Sequence, residues 1–138
     1  MFTEAKSNQP LSKRIVNFKK SKHFDLSFSK WSENNASLKQ KLIDFINTKS
    51  ENPVQRFGAS DYAFSNTGSY SGLQHAHLTQ DLSLIYKLAG SNPVDIYLYG
   101  IYSHAELGTS RPPNIKVQKS MGTKIHNMVF EQLAKRKG

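Results

Sequence analysis

Apolar residues change their spacing along the chain, and the change predicts helix first and strands later. Four apolar residues recur at i, i+4, i+7 and i+8 with lysines on the opposite side; they are Leu38, Leu42, Phe45 and Ile46. This spacing predicts an amphipathic helix of about four turns that ends before Pro53. Three later runs predict strands, namely Gly72–Leu78, Leu82–Ala89 and Val94–Ser103.

Short links join these three runs. The first link is Thr79-Gln80-Asp81, and the second is Gly90-Ser91-Asn92-Pro93, a strong turn signal. Because a parallel crossover needs about a dozen residues, links of this length predict antiparallel neighbours and therefore a β-meander.

The rest of the chain has weaker signals. Residues 1–13 are predicted to be disordered, and either Arg14–Phe18 or His23–Phe28 forms a short strand, of which we favour the second. Residues 51–71 are rich in Gly, Ser and Asn and are predicted to form a long loop. After a break at Arg111-Pro-Pro, a last helix is predicted over Lys119–Lys135; its buried stripe comprises Ile125, Met128, Val129 and Leu133.

Composition narrows the protein class. The chain has 138 residues, which fits a single domain over 14–138, and it has no cysteine for a disulfide or a thiolate site. No stretch approaches the roughly 20 apolar residues of a membrane span, and the first residues lack a signal-peptide core, so we expect a cytoplasmic protein that does not bind membranes.

The net charge of +9 is concentrated at the two ends of the chain. Residues 1–50 carry ten basic and four acidic side chains, and residues 111–138 carry seven basic and one acidic side chain. The centre, residues 51–110, carries two basic and five acidic side chains. Such flanks favour a polyanionic partner, because lysines and arginines that neutralise phosphates release counterions. The alternative is that these charges only keep a small protein soluble.

The meander predicts that His77, Asp81 and His104 share one edge of the sheet. His75 precedes His77 by two residues and therefore points to the same face. The sequence leaves open which residues of the next strand share that face, because a one-residue change in the turn reverses the facing of the whole strand. They are either Ser83 and Lys87 or Leu84 and Tyr86. Separately, each polar residue has an ordinary explanation as a rim histidine or a turn aspartate, and His75, His77 and His104 are also a weak match to a zinc site.

These segments resemble the RelE superfamily of bacterial toxins. The resemblance is to the YafQ branch and runs through Gly68-Ser-Tyr-Ser-Gly72, then His75-Ala-His-Leu-Thr-Gln-Asp-Leu-Ser-Leu-Ile-Tyr-Lys87, then Gly100-Ile-Tyr-Ser-His-Ala-Glu-Leu107. It implies an α+β fold in which N-terminal helices pack on a twisted antiparallel sheet, here with an added C-terminal helix. It also implies an enzyme, an endoribonuclease (mRNA interferase) that cleaves mRNA on the ribosome, inhibits translation and is neutralised by a cognate antitoxin.

The resemblance carries catalytic roles onto His77, Asp81 and His104, and two departures accompany it. Phe64 stands where the family has a histidine, and Gly108 stands where it has a phenylalanine. His75 is additional and is a candidate for the missing imidazole. The basic tail is similar to that of the YafO family in the stretch 121–126.

Metal-independent RNA cleavage needs a base for the 2′-hydroxyl, a cation at the phosphate and an acid for the leaving 5′-oxygen. Histidine suits both proton transfers, and we expect His77 and His104 to divide them, in an order that the sequence does not fix. Asp81 would orient one imidazole or, as the second choice, be the base itself. No cofactor or metal is expected. The supporting candidates are Lys87 and Arg111 at the phosphate, and Tyr70 or Tyr102 stacked on an unpaired base. A non-catalytic RNA- or ribosome-binding module and a gyrase-poisoning toxin of the same fold remain the alternatives.

Overall fold

The computed structural model describes residues 15–65 and 68–132. Four helices and six strands lie within these ranges. The helices are Lys22–Ser32 (α1), Leu38–Glu51 (α2), His104–Leu107 (α3) and Ile115–His126 (α4). The strands are Val16–Ser21 (β1), Tyr62–Ala63 (β2), Gln74–His77 (β3), Leu82–Ala89 (β4), Val94–Ser103 (β5) and Phe130–Gln132 (β6).

One open sheet contains all six strands in the order β2-β3-β4-β5-β1-β6. The predicted meander of β3, β4 and β5 is confirmed, and the bounds of β4 and β5 are those predicted. The expected antiparallel sheet is found in every pairing but one: β1 runs parallel to β5, with Val16 opposite Val94. This pairing is possible because two helices and three strands separate β1 from β5 along the chain.

The two sides of the sheet carry separate hydrophobic clusters. Leu84 belongs to the cluster that includes Phe24 of α1 and Phe45 of α2, whereas its neighbour Ile85 belongs to the cluster that includes Ile125 of α4. Because successive strand residues point to opposite faces, α1 and α2 cover one face and the C-terminal segment covers the other.

The favoured strand at His23–Phe28 is wrong, since this segment lies in α1. The alternation of Phe24, Leu26 and Phe28 is typical of a strand, but Leu26 is 67% exposed whereas Phe24 and Phe28 pack into the core. The Ser21 hydroxyl begins the helix by accepting the N–H of Phe24 at 3.1 Å. The other candidate, Arg14–Phe18, overlaps β1.

Helix α1 also covers part of the border of β5. Strand β1 pairs with β5 only as far as Leu98. Beyond that point, the Ser21 hydroxyl donates to the Tyr99 carbonyl at 2.7 Å, and the Ser27 hydroxyl accepts the Ile101 N–H at 2.9 Å. Side chains thus satisfy backbone groups that a missing strand would otherwise have paired.

The predicted last helix over Lys119–Lys135 is misplaced. Helix α4 begins earlier because Asn114, directly after the two prolines, accepts the N–H of Val117 at 3.1 Å, and it ends at His126. Strand β6 follows and pairs with β1. Val129, expected on a buried helical stripe, lies between α4 and β6 and is 84% exposed. Leu133 and the predicted disorder of residues 1–13 lie outside the described residues, and the division at residue 14 stays a prediction. Within the described ranges, no helix is both long and apolar enough to cross a membrane.

Candidate active site

The structure brings His77, Asp81 and His104 together at one end of the meander. His77 ends β3, Asp81 lies in the turn before β4, and His104 begins α3 directly after β5. Nε2 of His77 is 3.2 Å from Nε2 of His104, and Nδ1 of His104 is 2.9 Å from Oδ1 of Asp81. The three side chains therefore form one hydrogen-bonded row with His104 in the middle.

The backbone holds His104 firmly because it is the first residue of a capped helix. The Ser103 hydroxyl accepts the N–H of Glu106, and the Glu106 carboxylate accepts the N–H of Ser103 at 2.9 Å. Lys30 of α1 pairs with the same carboxylate at 2.7 Å. Asp81 accepts the backbone N–H of His104 at 3.3 Å as well as its ring, so the turn is attached to the helix by two contacts.

The contacts restrict the protons that the two imidazoles can carry. A carboxylate only accepts, so Nδ1 of His104 carries the proton that Asp81 receives. The contact between the two Nε2 atoms then needs one proton, so that one nitrogen donates and the other accepts.

The histidine pair opens onto a cavity of about 360 Å³. Its lining includes Tyr62, Phe64, His75, His77, Ser83 and His104. The register of β3 and β4 shows which residues of β4 lie on the same face as the histidines. His77 lies opposite Ser83, and directly paired residues share a face. Ser83 and Lys87 therefore lie on the histidine face, as four residues along one strand separate them.

His75 lies deeper in the cavity than the other two histidines. Its side chain is 8% exposed, and its ring centroid lies 4.5 Å from that of Tyr62 and 4.4 Å from that of Phe64. Burial lowers the pKa of His75 to about 4, and the nearby His77 adds to this effect. The ring is thus neutral near pH 7, which makes it a weak base and a poor replacement for the imidazole that Phe64 displaces.

The structure does not place the predicted supporting residues at the cavity. The Tyr70 hydroxyl donates to the Leu107 carbonyl at 2.7 Å, and Tyr102 is 1% exposed, so neither can stack on a base. Lys87 is exposed but lies about 13 Å along β4 from Ser83. Arg111 is exposed two residues after Thr109, which does line the cavity.

Sequence reasoning missed the aromatic wall at Tyr62, which is 46% exposed, and the buried contacts below it. Asp61 pairs with Lys49 at 2.8 Å, and both side chains are 2% exposed. The Tyr86 hydroxyl donates to the same carboxylate, which also accepts the N–H of Phe57 at 2.7 Å. The prediction that the lysines of this helix lie opposite its apolar residues is wrong for Lys49, which is buried on the apolar side four residues after Phe45. That spacing was the signal in the sequence for the buried pair.

The zinc alternative found no support in the geometry. Among residues 15–65 and 68–132, no group of three or more histidine, cysteine or acidic side chains is arranged to hold a metal ion. His75 and His77 share a face, as predicted, but the His75 ring packs against aromatic neighbours.

No family model and no curated protein matches the chain. Among solved structures, it is similar to a YoeB/ParE toxin from Agrobacterium tumefaciens, with 15% identity over 65% of this chain and 98% of that chain and a TM-score of 0.51. It is also similar to YafQ from E. coli, with 22% identity over 69% of this chain and 98% of YafQ and a TM-score of 0.47. The match to a chain of the E. coli DinJ-YafQ toxin-antitoxin complex has 23% identity over 69% of this chain and 97% of that chain, with a TM-score of 0.46. The overlap with the Agrobacterium protein shows that this chain shares the α+β fold of that YoeB/ParE toxin.

Proposed function

We propose that the protein is the toxin of a toxin-antitoxin pair and acts as a metal-independent endoribonuclease on mRNA. The observation that carries the proposal is the row Asp81–His104–His77, which opens onto a cavity large enough for part of a nucleotide. Histidine is the side chain most often used as a general acid or base, and phosphodiester cleavage needs one of each.

In the proposed reaction, one imidazole takes the proton of the ribose 2′-hydroxyl as this oxygen attacks the phosphorus. The bond from phosphorus to the 5′-oxygen breaks, and the other imidazole gives its proton to that oxygen. The products are a 2′,3′-cyclic phosphate and a 5′-hydroxyl. The phosphate has to enter between His77 and His104, whose facing nitrogens are 3.2 Å apart, so we expect the rings to separate when substrate binds. Asp81 orients His104 and stabilises its cation, which faces the phosphate.

The positive surface supports a nucleic-acid partner. Helix α4 has three exposed lysines, Lys116, Lys119 and Lys124, and no acidic residue. It follows the loop that leaves the cavity at Thr109 and contains Arg111. Arg111 and Lys87 lie outside the cavity, and we propose that they contact phosphates that flank the cleaved one.

The biological setting rests on the motif resemblance and the shared fold. We propose that the protein acts in the cytoplasm on translated mRNA, with the ribosome as a further partner, and that a cognate antitoxin covers the basic surface. An amphipathic or acidic helix laid on that surface, or an added strand, would suit its charge.

A cleavage assay tests the proposal. Purified protein is incubated with naked RNA and with mRNA in a translation extract, each with and without a chelator, and products are mapped by primer extension. We expect cleavage that resists the chelator, and losses of about 10²- to 10⁴-fold in His104→Ala and His77→Ala, with a smaller loss in Asp81→Asn. His23→Gln is the matched control, because His23 lies on α1, where its ring stacks on Tyr102, and it does not line the cavity.

The alternatives predict distinct outcomes in this assay and in a DNA supercoiling assay with gyrase. Wild-type protein that blocks translation but leaves mRNA intact would select the binding-only module. A protein that leaves translation intact and changes DNA supercoiling in the presence of gyrase would select the gyrase poison. Equal cleavage by wild type and His104→Ala would remove the catalytic assignment.

A further inference from the structure

Aromatic and imidazole rings form a continuous line from the edge of the sheet to the histidine pair. The ring of Tyr62 contacts that of His75, whose centroid is 5.7 Å from that of His77, which in turn is 5.2 Å from that of His104. Phe64 lies beside His75 at 4.4 Å. One end of the cavity is therefore lined by the two imidazoles proposed to transfer protons, and the other end is lined by aromatic rings.

The aromatic end differs from ordinary core packing because Tyr62 is 46% exposed and Phe64 is half-buried. Both side chains line the same cavity as His77 and His104. An aromatic ring exposed at the wall of a cavity offers a flat apolar face. A ligand bound in this cavity beside His77 and His104 would cover that face of Tyr62.

The edge that carries Tyr62 is held in place from below. Tyr62 lies opposite His75 in the pairing of β2 with β3, and the Phe64 N–H donates to the Leu73 carbonyl at 3.0 Å. Asp61, directly before Tyr62, is fixed by its buried pair with Lys49. A short edge strand anchored in this way holds the ring in position before a ligand arrives, which lowers the entropic cost of binding.

We propose that Tyr62 and Phe64 form a stacking site for one unpaired nucleobase of the RNA. The inference rests on the proposed function, because it takes the ligand of the neighbouring histidine pair to be a phosphodiester. A nucleotide joins a flat aromatic base to a phosphate, which matches the two ends of this cavity. Stacking requires a base that is free of its partner, so the substrate class is single-stranded RNA.

The chemistry of the wall favours a base without fixing its identity. Both side chains offer an aromatic face, and every base has a face to stack on it. His75, which contacts both rings, is neutral near pH 7 because burial lowers its pKa to about 4, so it places no charge against the base. We therefore expect a stacking contribution with little dependence on sequence.

Binding of a non-cleavable probe tests the site separately from catalysis. The probe is a fluorescent single-stranded RNA with 2′-O-methyl groups throughout, which lacks the attacking hydroxyl, and its partner is the same oligonucleotide with abasic sugars. We expect wild-type protein to bind the base-bearing probe about 5- to 100-fold more tightly than the abasic one. Tyr62→Ala should remove that preference, whereas Tyr62→Phe should keep it because the ring remains.

The control is Leu26→Ala, which shortens another exposed apolar side chain, on α1, and should bind both probes as wild type does. His104→Ala should also keep the preference, so loss of cleavage and loss of stacking are separable. Wild-type protein that does not distinguish the two probes, or Tyr62→Ala that still distinguishes them, overturns the proposal; in the second case the aromatic wall would serve a protein partner. Absence of cleavage with an intact preference would overturn the proposed function alone.

Discussion

The low pKa of His75 makes the stability of the fold depend on pH, and His75→Phe isolates this dependence. Phenylalanine places a neutral ring of similar size beside Tyr62 and Phe64, where the side chain is 8% exposed. Burial is the main cause of the shift, so the variant removes the group that titrates and leaves the packing largely in place.

The magnitude follows from the difference between the pKa of about 4 in the folded protein and the ordinary value of 6.5 in the unfolded chain. Because the folded-state value is the lower one, the unfolded chain binds this proton more tightly. The contribution of neutral His75 to stability is therefore complete above about pH 6.5 and is lost as the pH falls towards 4. Between pH 7 and pH 5, this single group should lower the free energy of unfolding by about 2 kcal/mol.

Urea denaturation at pH 7, 6 and 5 gives the free energy of unfolding of wild type and of His75→Phe. The difference between the two proteins isolates His75, because the carboxylates that both proteins share contribute equally to each. Wild type should lose about 2 kcal/mol more than His75→Phe over this range. Ile85→Val is the control, since Ile85 lies opposite His75 and does not titrate; it should lower stability equally at each pH. Parallel losses in wild type and His75→Phe would refute the argument that burial holds this imidazole neutral.

Two further variants test packing by the free energy of unfolding. Lys49→Met leaves a buried carboxylate without its partner and should cost about 3–5 kcal/mol, whereas Lys41→Met on the exposed side of the same helix should cost less than about 0.5 kcal/mol. Gly122→Ala adds a methyl group 2.6 Å from the Ser69 carbonyl oxygen and should lower the free energy of unfolding by about 1–3 kcal/mol, although alanine favours helix. The control Ser120→Ala, at an exposed position of that helix, should be neutral or slightly stabilising. Equal stability of both variants would show that the loop at Ser69 moves away at no cost.

The central meander could be predicted from the sequence because its signals are local. Turn residues at Gly90–Pro93 and the apolar runs on either side gave the bounds of β4 and β5, and the topology then placed His77 and His104 at one end. The hydrogen bonds between these residues depend on the capped start of α3, which the cluster Ser103–Glu106 specifies but which the strand pattern conceals.

The mispredicted elements have a sequence pattern that fits two kinds of secondary structure, or they depend on residues far away along the chain. Residues 23–28 fit both a period of two and a helical period, and the decision came from contacts with β5, about 75 residues away. Strand β6 pairs with β1 from the opposite end of the chain, so no local pattern announces it. The partner of Lys49 could not be predicted either, because Asp61 comes twelve residues later, within a stretch without regular periodicity.

The borders of the sheet have a consequence for how the protein behaves at high concentration. In the part of the chain that the structure describes, the outermost strands are β2, with two residues, and β6, with three. The stretch of β5 beyond its pairing with β1 is hydrogen-bonded to the hydroxyls of Ser21, the N-cap of α1, and Ser27 within α1. Foreign strands therefore meet few free backbone amides and carbonyls to align with, which guards against fibrillar self-association.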